Sequence, residues 1–184
     1  VATRSNLIQI YEKLINQDAK HHLHEIRSAG QLYALMLARN VDEKWAPLAK
    51  PLKDLDRIQG SPSYLLLLYL LVRREALAIN LAHLERIVGL LVCFFVRRNL
   101  TDTPPTRDLT RLFMATINKV AALSGDAVVA TIREELLAVS ASDETFRSKL
   151  EGAIYEENSG VTRFVLCALA EQSMTKETWV DLWK

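Results

Sequence analysis

The sequence predicts an all-α domain, a multi-helix bundle of about eight to ten helices, and three observations carry that expectation. Apolar residues recur three and four positions apart along nearly the whole chain, the spacing that gathers side chains on one face of a helix. No stretch alternates apolar and polar residues at the two-residue period of a strand. Short turn clusters, Gly60-Ser61-Pro62, Ser124-Gly125-Asp126 and Asn158-Ser159-Gly160, divide the periodic segments, and loops that short favour antiparallel neighbours. With 184 residues, 49% of them hydrophobic, the chain suits a single domain over 1–184 with a sizeable core.

The elements follow in order. Leu7, Tyr11 and Leu14 make one stripe, and Leu23, Ile26, Gly30, Tyr33 and Leu37 make the next; each predicts an amphipathic helix, the second ending near Asn40. Pro47 and Pro51 bracket a break before a short helix over 52–58, because a residue preceding proline is pushed out of the α region. Trp45, just before Pro47, is expected to cap the core. Residues 64–72 and 87–96 are apolar runs, each closed by an Arg-Arg pair and well short of the roughly 20 residues that span a bilayer. Both read as core helices, with no membrane partner. Leu81, Leu84, Val88, Leu91 and Phe95 keep helical spacing while Ile87, Val92, Phe94 and Val96 fill the other faces, so this helix is expected at the centre. Later stripes are Leu109, Phe113, Ile117 and Val120; Val129, Ile132, Leu136 and Val139; Phe146, Leu150 and Ala153; and Val161, Phe164 or Val165, and Ala168. Asp126 and Ser142 are the expected N-caps of the helices they precede. Thr175 is expected to cap a last helix over 175–184, with Trp179 and Trp183 four apart on one face.

Charge and residue chemistry exclude several classes of function. Lys and Arg number 23 against 22 for Asp and Glu, a formal charge of +1, so no global field draws nucleic acid or an anionic membrane. Cys93 and Cys167 lie in apolar runs and are expected as small buried hydrophobes rather than nucleophiles. They predict a reducing, cytoplasmic setting without disulfides. Gly60, Gly125, Gly152 and Gly160 are isolated, giving no phosphate-binding loop. Glu134-Glu135 and Glu156-Glu157 are sequence neighbours, which diverge by about 100° on a helix and do not converge on one proton or metal. In His21-His22-Leu23-His24-Glu25, His21 shares a face with His24 and Glu25. The order differs from HExxH, and no distant ligand is evident; a solvated helix surface is expected there, and His83 is expected to be structural or solvated. No catalytic residue, cofactor or metal is predicted.

The connector between the central helix and the next is the most specific stretch: Arg97-Arg98-Asn99-Leu100-Thr101-Asp102-Thr103-Pro104-Pro105-Thr106-Arg107-Asp108-Leu109-Thr110-Arg111-Leu112-Phe113. Together with Leu52-Lys53-Asp54-Leu55-Asp56-Arg57-Ile58, the apolar run 64–71 and Val161-Thr162-Arg163-Phe164-Val165-Leu166, it resembles the helical middle region of GmrSD-type modification-dependent (type IV) restriction endonucleases. The likeness covers roughly 7–184. It implies an N-terminal ParB/sulfiredoxin-like domain that uses nucleoside triphosphate and carries a DGQQR-like motif, and a C-terminal HNH nuclease. Neither motif occurs within 1–184. The absence of an initiator Met at Val1, and the likeness of 179–184 to the helix leading into an HNH domain, suggest an excised piece. The resemblance thus implies a non-catalytic scaffold in a phage-defence nuclease, with its flanking domains as partners and DNA reached through the parent protein.

The arginines have two readings. Arg73-Arg74, Arg97, Arg98, Arg107 and Arg111 could face DNA, since guanidinium binds phosphate bidentately. The alternative has Arg97 and Arg98 serving the C-terminal end of the central helix and bonding Asp102 or Asp108, with Pro104 and Pro105 fixing the connector and Thr106 and Asp108 starting the next helix. Neutral net charge favours the structural role. Trp179 and Trp183 could pack on the bundle or serve an interdomain contact. Two other functions remain open: a protein-interaction or homodimerisation module using that tryptophan stripe, and a helical DNA-binding module using the arginines.

Overall fold

A computed structural model describes residues 5–37 and 42–183, and among these it contains nine α-helices and no strand. The expected fold class is therefore observed. No helix among the described residues is long and apolar enough to cross a membrane.

Helix α4 (Leu81–Thr101) is the centre, as its filled faces predict. Leu84, Ile87, Val88, Leu91, Phe94, Phe95 and Leu100 are buried along it, and α2 (Ala46–Arg57), α6 (Asp126–Val139), α7 (Asp143–Leu150) and α9 (Ser159–Ser173) pack around it. Its first turn is closed reciprocally: the Asn80 side chain accepts the His83 N–H, and His83 Nδ1 accepts the Asn80 N–H, both at 3.0 Å. This satisfies two donors that helix geometry leaves orphaned, and gives His83 a structural role.

A second chain of contacts runs from α1 (Leu7–Met36) to α3 (Tyr64–Val72), then to α5 (Thr106–Val120), then to α6. The two chains meet in a ring cluster of Phe94, Phe95 and Phe113, with centroids 5.3 to 6.4 Å apart, a spacing at which aromatic pairs add about 0.5–1.5 kcal/mol beyond area burial. Gly60 permits the close return of the chain after α2, because a Cβ there would lie 2.2 Å from Leu55 Cδ1 and 2.9 Å from the Leu55 carbonyl oxygen. Gly125 has φ 57° and precedes α6, where its N–H donates to the Leu77 carbonyl at 2.8 Å; that backbone conformation suits glycine.

Several expectations need correction. Helix α2 starts at Ala46, not near 52, and carries Pro51 inside it. Pro47 sits in the first turn, where a missing N–H is no loss, and Pro51 forgoes one backbone bond that burial of Leu48, Leu52 and Leu55 offsets. Asp126 is the first residue of α6, with Gly125 at the cap position, and its carboxylate instead pairs with Arg86 at 2.7 Å. Ser142 does cap α7, accepting the Thr145 N–H at 3.1 Å. The stripe Phe146, Leu150, Ala153 is interrupted, since α7 ends at Leu150 and Ala153 opens the single turn α8 (Ile154–Glu157). Ser159 and Gly160 belong to the first turn of α9, capped by Asn158 through the Val161 N–H at 3.1 Å. Cys167 is buried as expected, but Cys93 is exposed: the position following Val92 on α4 faces outward between α6 and α9 rather than inward.

The segment after α9 is not helical. Thr175 and Thr178 close a turn through their hydroxyls, with Thr178 Oγ1 accepting the Thr175 N–H at 2.8 Å. Tertiary contacts override the local helix signal: Trp183 lies 5.9 Å from the Phe164 ring and donates from Nε1 to Glu171 at 3.0 Å, while Trp179 is 66% exposed. The expected tryptophan stripe therefore does not form.

Helix α1 runs Leu7–Met36, but Asp18 within it has φ −156° and ψ 85°, and its carboxylate accepts the His21 N–H at 3.0 Å, as an N-cap does. It is two helices joined at one residue, in accord with the two predicted stripes; the expected end near Asn40 falls outside the described residues. An amphipathic helix ordinarily buries its stripe, yet on α1 only Leu35 and Met36 are buried. The reason is length. The helix it packs on, α3, has 9 residues against 30 in α1, so at 1.5 Å per residue it covers only one end.

Candidate functional site

The residues singled out at the connector come together at the C-terminal end of α4 as a polar node. The last turns of α4 supply Arg97, Arg98 and Asn99, and Asp102 ends the helix with φ 51° in the left-handed region, a conformation that Asp tolerates better than most residues. Arg98 is the hub. Its Nε donates to the carbonyl of buried Pro104 at 3.0 Å, Nη1 to Asn99 Oδ1 at 3.0 Å, and Nη2 to Asp102 at 2.8 Å and to Thr106 Oγ1 at 2.7 Å. One rigid, planar guanidinium thus holds the end of α4, the connector and the start of α5 in one arrangement.

Arg97 reaches the other way. It donates from Nη1 to the Ala141 carbonyl at 2.9 Å and from Nη2 to Asp143 at 2.6 Å, and its guanidinium stacks 4.8 Å from the Phe146 ring. Asn99 Nδ2 donates to the Ile58 carbonyl at 2.7 Å, and Asn158 Nδ2 reaches the Asn99 carbonyl at 3.4 Å. The node therefore joins the ends of α2 and α4 to the starts of α5, α7 and α9. Of the anticipated pairings, Arg98 with Asp102 is present; Asp108 pairs instead with Arg111 at 2.8 Å, and the Arg97–Asp143 link spans 46 positions, beyond anything local sequence signals. Arg107 is exposed and Arg111 is 82% exposed. The four arginines are thus not one patch: two are held inside the fold and two stand on the surface of α5.

A second constellation surrounds Trp183. The Arg57 guanidinium lies 3.8 Å from its ring centroid and Arg163 5.7 Å, geometry that favours cation–π attraction. Glu171 accepts from Trp183 and from Lys50 Nζ at 2.7 Å, and Asp54 takes Arg57 at 3.0 Å and Lys50 at 3.4 Å. Hydrogen bonds from Lys50 and then Trp183 hold Glu171 below the usual carboxylate range. The bond to Glu171, with the Asp54 charge assisting against burial, holds Lys50 above the ordinary lysine value. This network clamps α2, α9 and the chain end together, and beside it lies an open groove of about 420 Å³ that Trp179 and Val180 flank. The tryptophans thus divide the two roles the sequence left open: Trp183 packs on the bundle, and Trp179 remains outside.

The histidine segment gathers differently from expectation. His21, His22 and Glu25 bring their ligand atoms within 4.8 Å of one another, with Glu25 accepting from His22 at 3.1 Å and lying 3.5 Å from His21 Nε2; His24 stays apart. All three come from one helical turn, with Glu25 engaging both imidazoles, and His21 and Glu25 are exposed while His22 is half-buried. Trp45 is buried as a core cap, with Arg74 5.3 Å from its ring.

No protein family, curated protein or solved structure matches the chain.

Proposed function

We propose that the chain is a rigid helical scaffold that does no chemistry itself, corresponding to the connector region of a GmrSD-like modification-dependent endonuclease in the cytoplasm, and that it sets the position of a nucleotide-using domain relative to an HNH nuclease. The observation that carries this reading is the Arg98 node. A guanidinium that ties a helix end, a proline connector and the next helix start by four hydrogen bonds makes the elbow stiff, and a stiff elbow transmits a displacement that a loose linker would absorb. The bonding of Arg97 and Arg98 within the fold also speaks against their use on phosphate. Two tests separate the readings. The reading frame around the chain should encode an HNH motif after Lys184, and its absence would refute the endonuclease assignment. The isolated chain should bind duplex DNA no more tightly than an uncharged helical protein does; steeply salt-dependent binding, weakened by R107A with R111A, would instead establish the DNA-binding reading.

A protein-interaction role has one specific observation in its favour, the uncovered apolar face of α1.

A further inference from the structure

We propose that α1 is a self-association element, on which two copies of the chain pack their apolar stripes together in antiparallel fashion about a two-fold axis near Asp18. The proposal is independent of the scaffold role.

Leu7, Ile8, Tyr11, Ile15, Leu23, Ile26 and Tyr33 are each between 42% and 73% exposed, all on one element. Together they leave on the order of 700 Å² in water along the helix, close to the ~800 Å² that each partner gives to a stable interface.

The stripe is also symmetric. Going out from Asp18 toward the N-terminus, stripe residues fall at Leu14, Tyr11 and Leu7, three then four apart; going toward the C-terminus they fall at Leu23, Ile26 and Gly30, three then four apart. These six positions mirror one another about a point between Asp18 and Ala19, beside the non-helical residue. An isologous interface requires such self-complementarity. Antiparallel pairing sets Leu14 against Leu23 of the partner subunit, Tyr11 against Ile26 of the partner subunit, and Leu7 over Gly30 of the partner subunit. That last position has room, because a Cβ at Gly30 would meet nothing within 4 Å.

Charge selects the occupant. The charged residues of α1 are Glu12, Asp18 and Glu25 against Lys13, Lys20 and Arg27, so the helix is neutral at pH 7. A helix that lies on an anionic membrane carries a Lys- and Arg-rich polar face, and a nucleic-acid surface needs the same excess. A neutral helix with a self-mirrored stripe suits its own copy.

Sedimentation of the 184-residue chain from about 1 to 100 μM tests this. The wild type should form dimers in that range, and Y11E with L23E should be monomeric at every concentration. Both positions are exposed, so circular dichroism and thermal unfolding of the monomeric variant should show an intact bundle. In a C93S background, Y11C with I26C should form an intermolecular disulfide under mild oxidation, whereas Y11C alone should not. A wild type that stays monomeric at about 100 μM, a Y11E/L23E chain that still dimerises, or a monomer that binds anionic vesicles through α1 would each overturn the proposal.

Discussion

Replacing Arg98 with alanine should destabilise the fold by about 3–4 kcal/mol. The four hydrogen bonds are unequal. Asp102 is 86% exposed, and an ion pair of that kind contributes only ~0–1 kcal/mol. The bonds to Asn99 and Thr106 are each worth about 1–1.5 kcal/mol. The Pro104 carbonyl belongs to a buried residue and would lose its donor, a loss of about 1–3 kcal/mol. Because one guanidinium makes all four bonds, their deletion is not additive, which sets the expected total below the simple sum. In a chain of this size about 1 kcal/mol moves Tm by roughly 2–4 °C, so R98A should melt about 10 °C lower. R98K, which keeps the charge but loses the planar fork, should fall between wild type and R98A. R107A, at an exposed position on α5, should lie within about 0.5 kcal/mol of wild type. Urea unfolding followed by circular dichroism gives these differences directly. A loss of under about 1 kcal/mol for R98A would refute the node as the feature that stiffens the elbow.

Four other outcomes follow from particular contacts. The Tyr64 hydroxyl is buried, and among the described residues no partner meets good hydrogen-bond geometry, the Asp56 carboxylate lying close enough to repel the phenolate; burial first and that charge second push its pKa up to about 12. Y64F should therefore be neutral or stabilising by up to about 1 kcal/mol in urea unfolding. G60A should cost about 2–3 kcal/mol by the same measurement, because the added Cβ meets the Leu55 backbone as well as its side chain. Glu171 is held low and Lys50 high, so their link contributes above the unfolded Glu pKa of about 4.3 and below the unfolded Lys pKa of about 10.4. It is lost as pH falls through the folded Glu171 value or rises through the folded Lys50 value, and E171Q should flatten the acid limb of a stability profile. Finally, a thiol reagent should modify exposed Cys93 quickly in the native protein and buried Cys167 only on unfolding, as mass spectrometry would register.

Much of this architecture is legible in the sequence because burial and helical period agree over long stretches. On α4 the run from Leu81 to Phe95 states both the helix and its central place, and Pro104-Pro105 followed by Thr106 and Asp108 marks the start of α5 to the residue. What the sequence hides depends on neighbours. A stripe such as Leu7, Tyr11, Leu14 declares a helix but not whether anything covers it, since that follows from the length of α3. The Trp179 to Trp183 spacing signals a helix that the pull of Trp183 toward Phe164 and Glu171 defeats. Cys93 looks interior because its neighbours are apolar, although helical rotation carries it outside. At the site, Arg98 with Asp102 is a local i, i+4 pair and can be read in advance, whereas Arg97 with Asp143 requires the packing of α7 on α4.

The single residue at which α1 changes direction has a kinetic consequence. Two torsion angles at Asp18 aim a rod of about 16 Å, eleven residues at 1.5 Å each, and a helix of that length is marginal in water on its own. Its amides over 7–17 should take up deuterium within seconds in a lone molecule, while those in the middle of α4 wait for global opening. The exchange rate of that one segment is thus a gauge, readable without any variant, of how often its apolar side is occupied.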